Sequence, residues 1–182
     1  EGSPDARAPL PGRFLVRGRL GAGAMGEVHL CYDERVGRSV AIKTARAALA
    51  RDPALRARFL TEAPVQGALE HPAIVPVHDL EASDDGGAFF VMKRVNGESL
   101  RAVLDRVRAG DPAYVQRYGP RRLLSAFATV CLAVAFAHAR GVVHRDIKPS
   151  NIMLGEFGEV YLLDWGVAHV SAGGGRLAES AP

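Results

Sequence analysis

The sequence predicts an α+β fold in two parts: a small lobe with a five-stranded antiparallel sheet and one main helix, then a helical lobe. Short apolar strand patterns, separated by glycine-rich and polar turns, fill residues 13–95. One helical pattern beginning at Asp52 interrupts them, and a long apolar helix at 121–140 dominates residues 96–182. Residues 1–12 carry three prolines, two glycines and mixed charge, which predicts a disordered tail or linker.

Length and composition are those of an ordinary globular protein. The 182 residues are 48% hydrophobic and 24% charged, enough for one full domain or two small lobes. The net charge of +3 is small and the basic residues look scattered, without aromatic interleaving, so no nucleic-acid partner is expected. Cys31 and Cys131 fit no metal spacing and predict reduced thiols in the cytoplasm. The chain begins at Glu1 without a signal peptide, so we expect a stretch of a longer protein, which could be membrane-anchored elsewhere.

The small lobe is predicted to begin with a glycine-rich hairpin. Residues 14–20 alternate loosely and lead into Gly-Ala-Gly-Ala-Met-Gly at 21–26, after which two further strand patterns end at Val40-Ala-Ile-Lys43. A lone Gly-x-Gly-x-x-Gly is weak evidence, because dinucleotide-binding folds place it between a strand and a helix. Here the glycines lie between two strand patterns. In that arrangement the glycine N–H groups can approach phosphates, and Lys43 can reach the same phosphates from its strand. An exposed Lys43 beside a plain hairpin is the simpler alternative.

The main helix of the small lobe is predicted to start at Asp52-Pro53, with Asp52 as N-cap and proline at the first helical position. It contains Glu62, which alone would be a solvated helix glutamate. Pro64 removes the backbone hydrogen bond to the carbonyl of Leu60, which costs about 3 kcal/mol unless the helix kinks. We therefore expect a kink near Pro64.

Further elements are weaker in pattern. Residues 88–92 form a short apolar strand, Ser99–Leu104 starts a short helix, and 109–120 is predicted to be a loop rich in Gly, Pro and Tyr. The apolar segment at 123–137 has about 15 residues, fewer than the roughly 20 needed to cross a bilayer. We therefore expect a buried helix closed by Gly141 and no membrane segment in this stretch.

Polar residues that could take part in catalysis or metal binding lie close together in sequence, between residues 144 and 164. Two carboxylates, an ammonium and a carboxamide lie there among apolar flanks that should hold them in a fixed loop: Asp146, Lys148, Asn151 and Asp164. Such a set suits a metal-bound polyphosphate. Asp146 could take a proton from a hydroxyl, Lys148 could neutralise a phosphoryl group, and Asn151 with Asp164 could hold Mg²⁺. His144 is expected to be a packed, hydrogen-bonded residue.

The pattern His-Arg-Asp-x-Lys-x-x-Asn followed by Asp-x-Gly resembles the catalytic loop and metal-binding motif of the eukaryotic-type protein kinases. The resemblance covers about residues 13–170 and implies a bacterial serine/threonine protein kinase using ATP and Mg²⁺ on protein substrates. Lys148 is typical of the Ser/Thr-directed members of the family. Autophosphorylation and dimerisation are possible further properties of such a kinase. Later helices of the family's large lobe have no counterpart here. The resemblance thus implies a catalytic-domain fragment ending in the activation segment, with an exposed apolar patch on the 121–140 helix.

The resemblance also implies an ion pair between Lys43 and Glu62, and it implies the nucleotide contacts. Met92 would lie at the back of the adenine pocket, and Lys93 to Val95 would offer hinge backbone groups to the adenine edge. The full predicted set is Leu20, Gly21, Gly23, Gly26, Val28, Ala41, Lys43, Glu62, Met92, Lys93, Val95 and Met153. Two alternatives stay open. One is a nucleotide-binding pseudokinase or scaffold, favoured by the missing peptide platform of the large lobe together with Pro64 and with Gln66, where the family usually has an apolar residue. The other is an inactive fragment.

Overall fold

A computed structural model describes residues 10–23, 26–46, 52–82 and 87–170. These residues form two compact units. Unit 1 holds the described residues up to Gly67 together with Pro76–Arg94, and unit 2 holds Ala68–Val75 and the described residues from Val95 onwards. The predicted tail at residues 1–9, the middle of the glycine-rich turn at 24–25 and the end of the chain from 171 lie outside the described residues.

Unit 1 is built on the five-stranded antiparallel sheet that the sequence predicts. The strands are β1 (Phe14–Ala22), β2 (Gly26–Asp33), β3 (Arg38–Ala45), β4 (Val77–Ala82) and β5 (Ala88–Lys93), in the spatial order β1-β2-β3-β5-β4. One face of the sheet buries a cluster that includes Cys31, Ile42 and Val91. Because side chains alternate along a strand, Lys43 and Phe90 belong to the other face.

Helix α1 (Pro53–Gly67) covers that second face of the sheet. It starts as predicted, since the Asp52 carboxylate accepts hydrogen bonds from the N–H groups of Ala54 (2.9 Å) and Leu55 (3.1 Å). Phe59 of α1 packs against Phe90 with ring centroids 5.5 Å apart. The helix continues three residues beyond Pro64 to Gly67, so proline does not end it.

Unit 2 contains three helices and two small sheets in the described residues. They are β6 (Gly97–Ser99), α2 (Leu100–Arg108), α3 (Pro112–Arg117), α4 (Pro120–His138), β7 (Val142–Val143), β8 (Ile152–Gly155), β9 (Val160–Leu162) and β10 (His169–Val170). One sheet has the order β6-β8-β9, and β7 pairs with β10. Ala68–Val75 joins this unit because Ile74 bridges to Leu162, whose N–H donates to Ala73 O at 2.8 Å. The sequence prediction had placed one boundary near residue 95.

The prediction of a loop over residues 109–120 is wrong, because α3 lies inside it. Asp111 caps this helix by accepting a hydrogen bond from the N–H of Ala113 (3.1 Å), and Pro112 occupies the first turn. Pro112 has no N–H to leave unsatisfied, and its fixed φ suits a helix start. The same Asp-Pro signal that predicted α1 was present here.

Helix α4 is buried along one stripe only. Ala126, Val130, Ala133 and Ala137 are buried, and the helix packs against β7 and β9. Large apolar side chains on the rest of its surface are 65–67% exposed: Leu124, Phe127 and Leu132. The predicted apolar patch is therefore confirmed, and the predicted burial of this helix holds along one stripe only. Among the described residues α4 alone is long and apolar enough to span a bilayer, a test that core helices of water-soluble domains also pass.

Candidate functional site

The glycine-rich hairpin of unit 1 combines an open backbone with one tightly packed glycine. Gly23 N–H donates to Gly26 O at 2.8 Å and so closes the turn between β1 and β2. A Cβ added at Gly21 or Gly23 would meet no described atom within 4 Å, whereas one added at Gly26 would overlap the Thr44 carbonyl oxygen. The first two glycines thus leave the strand backbone accessible to a ligand, and Gly26 is required for packing on β3.

The ion pair predicted between Lys43 and Glu62 is confirmed. Lys43 Nζ donates to both carboxylate oxygens of Glu62, at 2.6 and 2.7 Å. The pair is well shielded from water, since the Lys43 side chain is 12% exposed and that of Glu62 2%. Pro64 is exposed and Gln66 is buried, and neither departure from the family pattern prevents the contact.

Several predicted nucleotide contacts share one face of the sheet with Lys43. Val28 is directly opposite Lys43, and Ala41 is directly opposite Met92. Cross-strand partners present their side chains on the same face, so these four belong together. Phe90, which the sequence analysis did not single out, is opposite Lys43 and holds its ring centroid 5.7 Å from Nζ.

The remaining predicted nucleotide residues are placed differently. Leu20 lies at an irregularity of β1, between Arg19 and Gly21, and is exposed. Lys93 is exposed at the end of β5, and its N–H donates to Pro76 O at 3.1 Å. Val95 and Met153 belong to unit 2, where Met153 sits on β8 opposite Ser99 and Tyr161. Their contact with a nucleotide stays a prediction.

In unit 2, His144 ties the loop after β7 to the segment after β9. Its Nε2 donates to Leu163 O at 2.9 Å, and its Nδ1 accepts from the N–H of Asp146 at 3.2 Å. The bond that Nδ1 accepts requires a neutral ring, and burial lowers the pKa of His144 below its ordinary value. The prediction of a packed, hydrogen-bonded histidine is confirmed.

Asp146 is the centre of the polar loop. Its Oδ2 accepts from Lys148 Nζ at 2.6 Å and from Asn151 Nδ2 at 3.0 Å, while Asn151 Nδ2 also reaches the Asp146 carbonyl at 2.9 Å. These donors, chiefly Lys148, lower the pKa of Asp146, so the carboxylate is ionised near neutral pH. Its Oδ1 has no hydrogen-bond partner among the described side chains and is available to a hydroxyl.

Asn151 and Asp164 are brought close by backbone pairing. Leu163 N–H donates to Asn151 O at 2.8 Å, which places Asp164 one residue from that contact. Asp164 and Arg145 have φ of 62° and 68°, a left-handed conformation that costs a non-glycine residue about 1–2 kcal/mol. Strain of this kind persists where the surrounding contacts impose it, typically at functional sites.

The donor set at this point suits Mg²⁺ better than a transition metal. The described residues contain no group of three or more His, Cys, Asp or Glu side chains that could hold a metal ion. Mg²⁺ at phosphoryl-transfer sites needs only one or two carboxylates, because phosphate oxygens and water complete its shell. Because Nδ2 of Asn151 donates to Asp146, the Oδ1 atom of Asn151 could bind Mg²⁺ together with the Asp164 carboxylate.

Trp165 packs behind this loop. It is 1% exposed, and its ring centroid lies 4.6 Å from that of His144. Its indole Nε1 is buried without a hydrogen-bond partner among the described residues.

Comparison with known proteins gives a consistent result. A family model described as "Protein kinase domain" matches residues 14–180. The chain is 40% identical over 153 residues to serine/threonine-protein kinase PknD of Protochlamydia amoebophila, covering 82% of this chain and 16% of that protein. It is 42% identical over 170 residues to serine/threonine-protein kinase PknB of Mycolicibacterium smegmatis, covering 92% of this chain and 26% of that protein. The chain thus spans about a sixth to a quarter of the length of these relatives.

Proposed function

Since the chain belongs to the protein kinase family, we propose that the whole protein transfers the γ-phosphoryl group of ATP to serine or threonine hydroxyls of protein substrates. The observation that carries this proposal is the convergence of Lys148 and Asn151 on one oxygen of Asp146. It leaves the other oxygen free beside an ammonium group, as phosphoryl transfer to a hydroxyl requires.

The residues of each unit have separate tasks in this proposal. Gly21 and Gly23 offer backbone N–H groups to phosphates, and Lys43, held by Glu62, supplies a fixed positive charge. When bound, ATP supplies the phosphoryl group and Mg²⁺ offsets its negative charge. Asn151 and Asp164 would hold the metal.

The catalytic loop would handle the proton and the charge at the hydroxyl. Asp146 Oδ1 accepts the hydrogen bond of the substrate hydroxyl and orients it, then takes its proton. Lys148 Nζ, already 2.6 Å from Asp146 Oδ2, offsets negative charge next to that hydroxyl. His144 holds the backbone of Asp146 in place and does not exchange a proton, because its ring is buried and neutral.

The test is Asp146→Asn in the full-length protein, with autophosphorylation and peptide phosphorylation as readouts. Loss of a positioned general base lowers kcat by about 10²- to 10⁴-fold, and we expect a loss in that range. Asp105→Asn, at an exposed site on α2, is the matched control and should leave kcat unchanged. Activity of Asp146→Asn within a few-fold of wild type would refute the roles assigned to the loop.

A nucleotide-binding module without catalysis is not favoured by any contact in the structure. Pro64 and Gln66 were two of the features that suggested it, beside the missing peptide platform, and the Lys43–Glu62 pair forms in their presence. A cytoplasmic location stays a proposal; free thiols at Cys31 and Cys131 are compatible with it.

A further inference from the structure

Three arginines and two tyrosines from α2, α3 and the start of α4 form a stacked group, here called the arginine–tyrosine cluster. Its members are Arg106, Tyr114, Arg117, Tyr118 and Arg122. Tyr114 and Tyr118 stack with centroids 5.7 Å apart and planes at 30°. The Cζ atom of Arg106 lies 5.1 Å from the Tyr114 ring, and those of Arg117 and Arg122 lie 5.4 and 5.0 Å from the Tyr118 ring.

Nearby carboxylates do not neutralise two of these arginines. Residues 98–122 contain six arginines and three acidic residues, and all three acids already have partners. Asp105 pairs with Arg101 and Arg108 at 3.8 and 3.7 Å, Asp111 pairs with Arg106 at 3.4 Å, and Glu98 accepts from the Tyr114 hydroxyl at 2.7 Å. Arg117 and Arg122 form no ion pair with any described residue.

The two unpaired guanidinium groups are held in place by the ring they share. Tyr118 is buried, so it is a fixed platform for Arg117 and Arg122. A guanidinium stacked on a ring keeps its edge N–H donors free and has lost part of its conformational freedom before any ligand arrives. Two such groups on one ring are therefore prepared to bind carboxylates.

A cavity of about 120 Å³ adjoins the cluster between α4 and the β8–β9 hairpin. Arg122 lines it together with Ser125, Thr129 and Glu159. Glu159 is the acidic residue on its wall, and its Oε2 is turned to the hairpin, where it accepts from Phe157 N–H at 3.0 Å. The cavity gives an extended ligand room for a side chain beside Arg122.

We propose that the arginine–tyrosine cluster docks an acidic segment of a protein substrate, with Arg117 and Arg122 binding adjacent Asp or Glu side chains. The proposal rests on the proposed kinase function, which supplies the class of partner. A nucleic acid is less suited, because phosphate-backbone binding uses a longer basic stripe than two free guanidinium groups. The sequence analysis missed the cluster because it read the basic residues as scattered.

The test uses the full-length protein and two serine peptides that share one phosphorylation sequence, one of them with a distal run of six glutamates. We expect Arg117→Gln/Arg122→Gln to raise KM for the glutamate-tagged peptide about tenfold. Its kcat, and both constants for the untagged peptide, should stay within twofold of wild type. The control is Arg101→Gln/Arg108→Gln, which removes the same charge from arginines that pair with Asp105. Arg117→Lys/Arg122→Lys keeps the charge without the planar fork and should give an intermediate KM.

A direct binding measurement separates this proposal from the kinase function. Fluorescence anisotropy of a labelled hexaglutamate peptide needs no catalysis, and its binding should weaken in the Arg117/Arg122 variant and not in the control. Equal loss in the control would mean general charge attraction and would overturn the proposal. So would a wild-type protein that does not distinguish the two peptides, or one whose cluster binds anionic vesicles or a DNA oligonucleotide in preference to hexaglutamate. Absence of all phosphotransfer would instead refute the proposed function.

Discussion

Removing one partner of the Lys43–Glu62 pair should destabilise unit 1 by about 3–5 kcal/mol, because the remaining charge would lose its two short ionic hydrogen bonds in a site shielded from water. The structure supports the full range: Glu62 is 2% exposed, Lys43 is 12% exposed, and both carboxylate oxygens lie within 2.7 Å of Nζ. Lys43→Met and Glu62→Leu should each show this loss. The double variant should return to within about 2 kcal/mol of wild type, since two apolar groups replace the pair.

Hydrogen exchange of the β3 and α1 amides measures this effect in unit 1 alone, and protection factors give the local free energy of opening. A loss of 3–5 kcal/mol corresponds to a fall of about 10² to 10⁴ in protection. Phosphotransfer should be lost in all three variants, including the restabilised one, because Lys43 or its positioning partner is missing. Single variants whose protection falls less than fivefold, or a double variant equal to the sum of both losses, would refute the reasoning.

Three further predictions follow from individual residues. Gly26→Ala should destabilise by at least about 1–3 kcal/mol, whereas Gly23→Ala should change stability little, because only the Cβ at 26 would overlap Thr44 O; thermal unfolding compares them. His144 has a folded pKa below 6.5, so the stability that its neutral ring contributes is present above about pH 6.5 and is lost as pH falls towards the folded pKa. Urea midpoints measured from pH 7.5 to 5.5 should fall accordingly. The variant His144→Gln should show a weaker pH dependence. The free energy of unfolding of Trp165→Phe should stay within about 1 kcal/mol of wild type, because removal of an unpaired buried N–H offsets the loss of ring volume. Trp165→Ala should lose about 3–5 kcal/mol. A large loss in the phenylalanine variant would mean that the indole N–H is hydrogen-bonded.

Local patterns predicted β1, β2, β3 and α1 well, because these elements have strong local signals, whereas β5 had a weaker pattern and β4 had none that was read. Asp52-Pro53 and the apolar alternation are readable from neighbouring residues. The Lys43–Glu62 contact joins residues 19 positions apart, and spacing alone could not predict it. It was expected only because the order of motifs resembled a known family.

The errors have physical causes as well. The prediction for 109–120 gave more weight to glycine and proline content than to the Asp111-Pro112 start signal of α3. Segment Ala68–Val75 groups with unit 2 through a bridge between Ile74 and Leu162, which depends on tertiary packing. The left-handed backbone of Arg145 has no signal in residue type, and that of Asp164 has only the weak one that aspartate adopts this conformation more often than most residues.

The contact of the Trp165 ring with His144 gives the chain an optical reporter at the loop that carries Asp146. Trp165 is the single tryptophan of the 182 residues, and its indole lies 4.6 Å from an imidazole that must stay neutral to hold Asp146. A protonated imidazole quenches indole emission at such a distance, whereas a neutral one does so far less. The emission of this residue should therefore report both the charge of His144 and any rearrangement of the loop that carries Asp146.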